Sequence, residues 1–183
     1  MARKFPSSAS EPTPGSLADV QAEADPYSVA RTIVLRRLNA MMRTRKDLFD
    51  DLIAREIPED AANAVLDRFT ELGLINDAQY AEMFVASRQR SRGTARPVLR
   101  QELRRKGVPD EEIIAALEDI SSEDEYERAR LLVEKKLPSL ARYDAATQQR
   151  RVMNLLMRRG YSGAVASSVV REVIAELPIE ESM

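Results

Sequence analysis

Arg96, Arg100 and Arg104 stand four residues apart, a spacing that stacks three guanidinium groups along one face of a helix. They belong to a longer basic stretch that also holds Arg88, Arg90, Arg92, Arg105 and Lys106, interrupted by a single acidic residue, Glu102. A guanidinium presents a rigid fork of donors that matches the paired oxygens of phosphate or carboxylate. Three like charges one turn apart repel each other, a cost that an anionic partner relieves. These basic residues are therefore candidate contacts for a phosphate backbone or an acidic protein surface. The competing reading is a solvated face neutralised by the acidic stretch that follows: Asp110, Glu111, Glu112, Glu118, Asp119, Glu123, Asp124, Glu125 and Glu127.

Other chemistry is poorly provided for. The chain has no Cys, His or Trp. Thiol nucleophiles, disulfides and Cys/His zinc sites are excluded, and the commonest general acid–base side chain is missing. There is no phosphate-cradling glycine loop. The acidic residues lie in surface runs and not in isolated apolar settings. A non-enzymatic protein without cofactor or metal is expected. Net charge is −2 and the pI about 5.5, so affinity for nucleic acid must come from a local patch. No apolar run approaches the ~20 residues of a membrane span. Arg3 and Lys4 are not followed by an apolar segment, which argues against a secretory signal. A cytoplasmic location follows as an expectation.

The elements that must carry these residues are helical. Residues 1–25 are rich in Pro and Ser and read as a disordered polar tail, with at most a frayed turn at Leu17–Ala24. From Pro26 the apolar spacing predicts nine helices, near 27–41, 45–55, 59–72, 77–91, 95–106, 110–119, 123–137, 145–159 and 163–176. Thr44 with Asp47, Ser122 with Glu125 and, more weakly, Asn76 with Gln79 have the spacing of capping boxes. Pro58 and Pro109 mark helix starts, and Gly73, Gly107 and Gly160 mark helix ends. Tyr80 and Phe84, one turn apart, read as core, as do Met41, Met42, Met153 and Met157. The clusters Arg31, Arg36 and Arg37, then Arg43, Arg45 and Lys46, then Arg150, Arg151, Arg158 and Arg159, each read as ordinary surface.

The nine helices look like one unit used three times. Its clearest signature is the turn before each third helix: Leu52-Ile-Ala-Arg-Glu-Ile-Pro58, Leu103-Arg-Arg-Lys-Gly-Val-Pro109 and Leu156-Met-Arg-Arg-Gly-Tyr-Ser162, spaced by 51 and then 53 residues. Each first helix opens with Tyr and then Ala: Tyr27 and Ala30, Tyr80 and Ala81, Tyr126 and Ala129. Each third helix is apolar, with Ala64, Val65, Leu66 and Phe69, then Ile113, Ile114 and Leu117, then Val165, Val169, Val170 and Ile174. The expected architecture is an all-α, elongated tandem array of three three-helix repeats, over 26–75, 76–120 and 121–178, with a short tail at 179–183. Small units of this kind gain stability by stacking on their neighbours.

Between residues 27 and 176 the chain resembles the RecX family. The resemblance rests on Gly73-Leu74-Ile75-Asn76-Asp77, then Tyr80-Ala81, Phe84-Val85 and Arg88. Arg92-Gly93 follow, then Leu99 and Leu103 running into Lys106-Gly107-Val108, and Ile113, Ala116 and Leu117. Ala30, Leu35, Arg43 and Leu52 fit in the first unit. Glu56 departs from the pattern, standing where the family often has Gly. The resemblance implies a monomeric regulator, mainly an inhibitor, that lies in the groove of the RecA filament on single-stranded DNA. It would limit ATP hydrolysis, strand exchange and filament growth, with weak, salt-sensitive DNA binding of its own and no membrane contact. Two other readings remain: a helical scaffold for another protein, and a helix-turn-helix-like DNA-binding protein.

Overall fold

The computed structural model describes residues 25–176. The expectations for residues 1–24 and for the terminal residues from 177 onward lie outside them. Among the described residues there are nine α-helices and no strand: α1 (Pro26–Ala40), α2 (Arg45–Ile53), α3 (Glu59–Glu71), α4 (Asp77–Arg92), α5 (Arg96–Arg105), α6 (Asp110–Glu118), α7 (Ser122–Lys136), α8 (Ala145–Arg159) and α9 (Gly163–Ala175). A short 3-10 turn, Leu137–Leu140, extends α7. None of these helices is long and apolar enough to cross a membrane.

Three cores lie along the chain, one for each group of three helices. Ala30, Val34, Leu48, Leu52, Leu66 and Phe69 hold the first together. Ala81, Leu99, Leu103, Ile113 and Leu117 hold the second. Ala129, Val133, Val152, Leu156, Val169 and Val170 hold the third. Ala30, Ala81 and Ala129 are fully buried, because at these points the first helix of each unit runs directly against its third and only a methyl fits. Not every apolar residue goes inside. Ala64 and Ile114 face outward on α3 and α6. Met41 and Met157 are about half exposed and do not serve as core, whereas Met42 and Met153 are partly buried. Tyr80 and Phe84 are half-buried, stacked with ring centroids 5.9 Å apart, and Arg88 lies over Phe84.

The caps follow simple donor counting. Thr44 accepts the Asp47 N–H and Asn76 accepts the Gln79 N–H, so that each satisfies an orphan donor of the first turn. The capping box of α7 lies one residue earlier than expected: Ser121 and Asp124 form it, not Ser122 and Glu125. Glu125 is taken by the preceding unit, as described below.

The turn before each third helix closes with a left-handed residue. Gly107 has φ 75° and Gly160 has φ 90°; in the first unit the same position is Glu56, at φ 60°. The neighbours of each residue explain the difference. A Cβ on Gly107 would meet Lys46 of the first unit at 2.5 Å, and one on Gly160 would meet Val98 of the second at 2.4 Å. Among the described residues no unit precedes the first, so no neighbour bars a side chain at Glu56. Only backbone strain remains there, about 1–2 kcal/mol. Glu56→Gly is expected to stabilise the protein by roughly 0.5–1 kcal/mol after the greater unfolded-state freedom of Gly is subtracted. A rise of about 2 °C in the thermal midpoint would register it.

Candidate functional site

Both junctions between units are built by one set of contacts used twice. The first N–H of α2, at Arg45, donates to Asp77 Oδ1 of the next unit at 3.0 Å. The first N–H of α5, at Arg96, donates to Glu125 Oε1 of the unit after it at 2.7 Å. The second helices of the first two units thus take part of their N-terminal caps from the following unit. The second junction adds the Ala95 N–H donating to Arg159 O at 2.9 Å and the Tyr161 hydroxyl donating to Gly93 O at 3.0 Å. Ala95 itself sits in the third core.

Burial pushes the Asp77 carboxyl above its usual range, against the pull of the Arg45 N–H and the Arg45 charge. A carboxyl raised on folding binds its proton more tightly in the folded state. Its contribution to stability therefore falls as pH rises from the ordinary carboxylate value to the raised one. Asp77→Asn keeps an acceptor for the Arg45 N–H and removes the desolvated charge. It is expected to hold the melting midpoint at neutral pH and to flatten its dependence on pH in that window. Asp77→Ala loses the cap and should cost about 1 kcal/mol.

On this frame the basic stretch divides. α5 buries Leu99 and Leu103, and its two flanks diverge from that buried edge. Arg96, Arg100 and Arg104 lie on one flank, where Arg96, Pro97, Arg100 and Glu125 line an open depression. Arg104 is committed to Asp110 at 2.8 Å, and its guanidinium holds the Asp110 carboxyl below the usual range. Arg96 and Arg100 have no ion-pair partner among the described residues, and Arg96 Nε is buried without a hydrogen bond.

The other flank, with Val98, Glu102 and Arg105, faces the ends of α4 and α8. Here Arg88 pairs with Glu102 at 3.0 Å, and Lys106 pairs with Asp47 of the first unit at 3.0 Å. Arg105 has no ion-pair partner among the described residues. Arg92 meets Arg158 and Arg159 of the third unit around a cleft of about 270 Å³, also lined by Thr94, Val98 and Glu102. Arg90 is exposed near the end of α4. Seven of the eight basic residues of the stretch thus divide over two flanks of α5, Arg90 standing apart, with Arg88, Arg104 and Lys106 engaged in ion pairs. The acidic stretch neutralises one of them directly, through Asp110.

Arg158 and Arg159, read from sequence as ordinary surface, join the second flank only through the junction of units. The internal repeat carried the signal: Arg158-Arg159-Gly160 aligns with Arg105-Lys106-Gly107. α6 opens with Asp110, Glu111 and Glu112, which is unlike a recognition helix meeting DNA. No group of His, Cys, Asp or Glu able to hold a metal ion occurs among the described residues.

Family models match nearly the whole helical region. They are described as "RecX, first three-helix domain" over 30–69, "RecX, second three-helix domain" over 76–117 and "RecX, third three-helix domain" over 123–170. The regulatory protein RecX of Streptomyces lividans is 46% identical over 152 residues, covering 83% of this chain and 81% of its own. The RecX of Thermobifida fusca is 42% identical over 159 residues, covering 87% and 86%. The crystal structure of RecX from Lactobacillus salivarius superposes with a TM-score of 0.71 at 26% identity, over 83% of this chain and 99% of that one.

Proposed function

The chain belongs to the RecX family of regulatory proteins, and from that premise we propose that it binds the filament RecA forms on single-stranded DNA and restrains it. It does so without chemistry of its own. Successive units contact successive positions along the filament, and weak contacts on a repeating partner add through effective concentration. The observation that carries the reading is the pair Arg96 and Arg100, cations without an ion-pair partner, on a flank of α5 open to solvent. An anionic surface, either phosphate or carboxylate, would neutralise them. Binding should weaken as salt is raised.

The test is the rate of ATP hydrolysis by the cognate RecA on single-stranded DNA, titrated with this protein. Suppression at amounts below the RecA amount is the expected result. A folded protein that leaves the rate unchanged at every ratio would overturn the reading and favour a scaffold for another partner.

A further inference from the structure

We propose that the cleft between the second and third units binds the phosphodiester backbone of a nucleic-acid strand through Arg92, Arg158 and Arg159. This deepens the proposed function, because it assigns one of the two basic flanks to nucleic acid.

Lys106 and Arg159 occupy the same place in their units, one residue before the left-handed glycine. At the first junction Lys106 is neutralised by Asp47, the third residue of α2. The corresponding residue of α5 is Val98. The second junction therefore keeps the cation and replaces its carboxylate with an aliphatic side chain. It also gathers two more guanidinium groups, those of Arg92 and Arg158. None of the three has an ion-pair partner among the described residues, and the lone carboxylate of the cleft, Glu102, is held by Arg88. Cations at the ends of α4 and α8 are individually favoured by the helix dipoles. That preference does not explain why two helix ends converge on one cleft from which the junction's carboxylate has been removed.

The chemistry of the lining favours phosphate. Guanidinium forks suit an anion with two exposed oxygens. Thr94, only 6% exposed, also lines the cleft. Unlike Thr44, the other buried polar residue among those described, it caps no helix, since the N-cap position of α5 is taken by Ala95, which makes no side-chain cap. Its hydroxyl is therefore available to a phosphate oxygen. A strand is favoured over a single anion by continuity. Across Glu102 a second depression, lined by Asp47, Phe84, Arg88, Glu102, Arg105 and Lys106, leads on toward the first unit, with Arg105 as its one cation outside an ion pair among the described residues. From Val98 to Arg105 the surface advances ~10 Å along α5, enough for consecutive backbone phosphates.

The test is fluorescence anisotropy of a labelled oligothymidine with the full chain, over a series of salt concentrations. Arg158→Gln with Arg159→Gln is expected to weaken binding about tenfold and to lower the slope of log affinity against log salt by about 1.4, the value for two lost single-strand contacts. Val98→Asp, which restores the carboxylate of the first junction, should weaken binding in the same direction. Arg150→Gln with Arg151→Gln, an equal loss of charge elsewhere on α8, should leave it near the wild-type value. Three results would each overturn the proposal: no measurable binding by the wild type, wild-type affinity in both cleft variants, or an equal loss in the α8 control. Tight binding of an acidic peptide that competes with the oligonucleotide only through the cleft residues would reassign the site to a protein partner and overturn it too. RecA ATP hydrolysis in the same samples separates the two readings. Suppression that survives with cleft-independent DNA binding leaves the regulatory reading intact, whereas cleft-dependent DNA binding without any suppression leaves only the cleft.

Discussion

Changing both Arg96 and Arg100 to Gln is expected to raise the amount of protein needed for half-suppression of RecA ATP hydrolysis by about 30-fold. The magnitude comes from about 1 kcal/mol for each lost charge contact, a cautious value for partly exposed groups, and about 1.4 kcal/mol per tenfold in affinity. Gln is chosen at both positions because a carboxylate would stand against Glu125, whose Oε1 accepts the Arg96 N–H and which lines the same depression as Arg100. The fold should therefore tolerate both changes, and an unaltered melting curve would confirm that. Arg104→Glu should have a smaller effect on suppression, since Arg104 already spends its charge on Asp110. If the double variant suppresses as well as the wild type, this flank of α5 is not the contact.

Most of the helical scaffold was legible because its signals are local. Apolar spacing, caps such as Thr44 and Asn76, and left-handed glycines at 73, 107 and 160 are each decided within a few residues. Errors arose where tertiary partners choose. Ser121 and Ser122 each have an acidic residue three positions on, and local reasoning cannot rank them. The structure ranks them because Glu125 is needed by Arg96 of the preceding unit, which leaves Asp124 to cap α7. Met41 and Met157 have core-like chemistry, but α8 turns Met157 outward and Met41 lies past the end of α1 in extended backbone. The basic stretch was legible as charge, but its division into two flanks was not. That division depends on which edge of α5 is buried and on the third unit bringing Arg158 and Arg159 beside Arg92. Glu56 was legible only as a departure. Its cause lies in the absence of a neighbouring unit among the described residues, whereas Gly107 and Gly160 have Lys46 and Val98 against them.

The same crowding predicts that two glycines of similar backbone will respond very differently to a methyl group. Gly73 and Gly160 both lie in the left-handed region, at φ 69° and 90°, so either pays about 1–2 kcal/mol of strain on becoming Ala. A Cβ on Gly73 meets nothing within 4 Å, and Gly73→Ala should cost about 1 kcal/mol once reduced unfolded-state freedom is credited. A Cβ on Gly160 would lie 2.4 Å from Val98 Cγ2 and 3.6 Å from the Val98 backbone nitrogen. Val98 is β-branched and turns only between restricted rotamers, so the contact must be relieved by moving the units apart. Overpacking of this kind adds about 1–3 kcal/mol, which brings Gly160→Ala to roughly 2–4 kcal/mol. Urea unfolding followed by far-ultraviolet circular dichroism measures both totals. Amide exchange locates the second: the Ala95 N–H, bonded to Arg159 O beside the glycine, should exchange faster in Gly160→Ala and at the wild-type rate in Gly73→Ala. Equal costs for the two substitutions, with Ala95 unaffected in both, would mean that the second and third units do not stack as closely as the Gly160–Val98 contact requires.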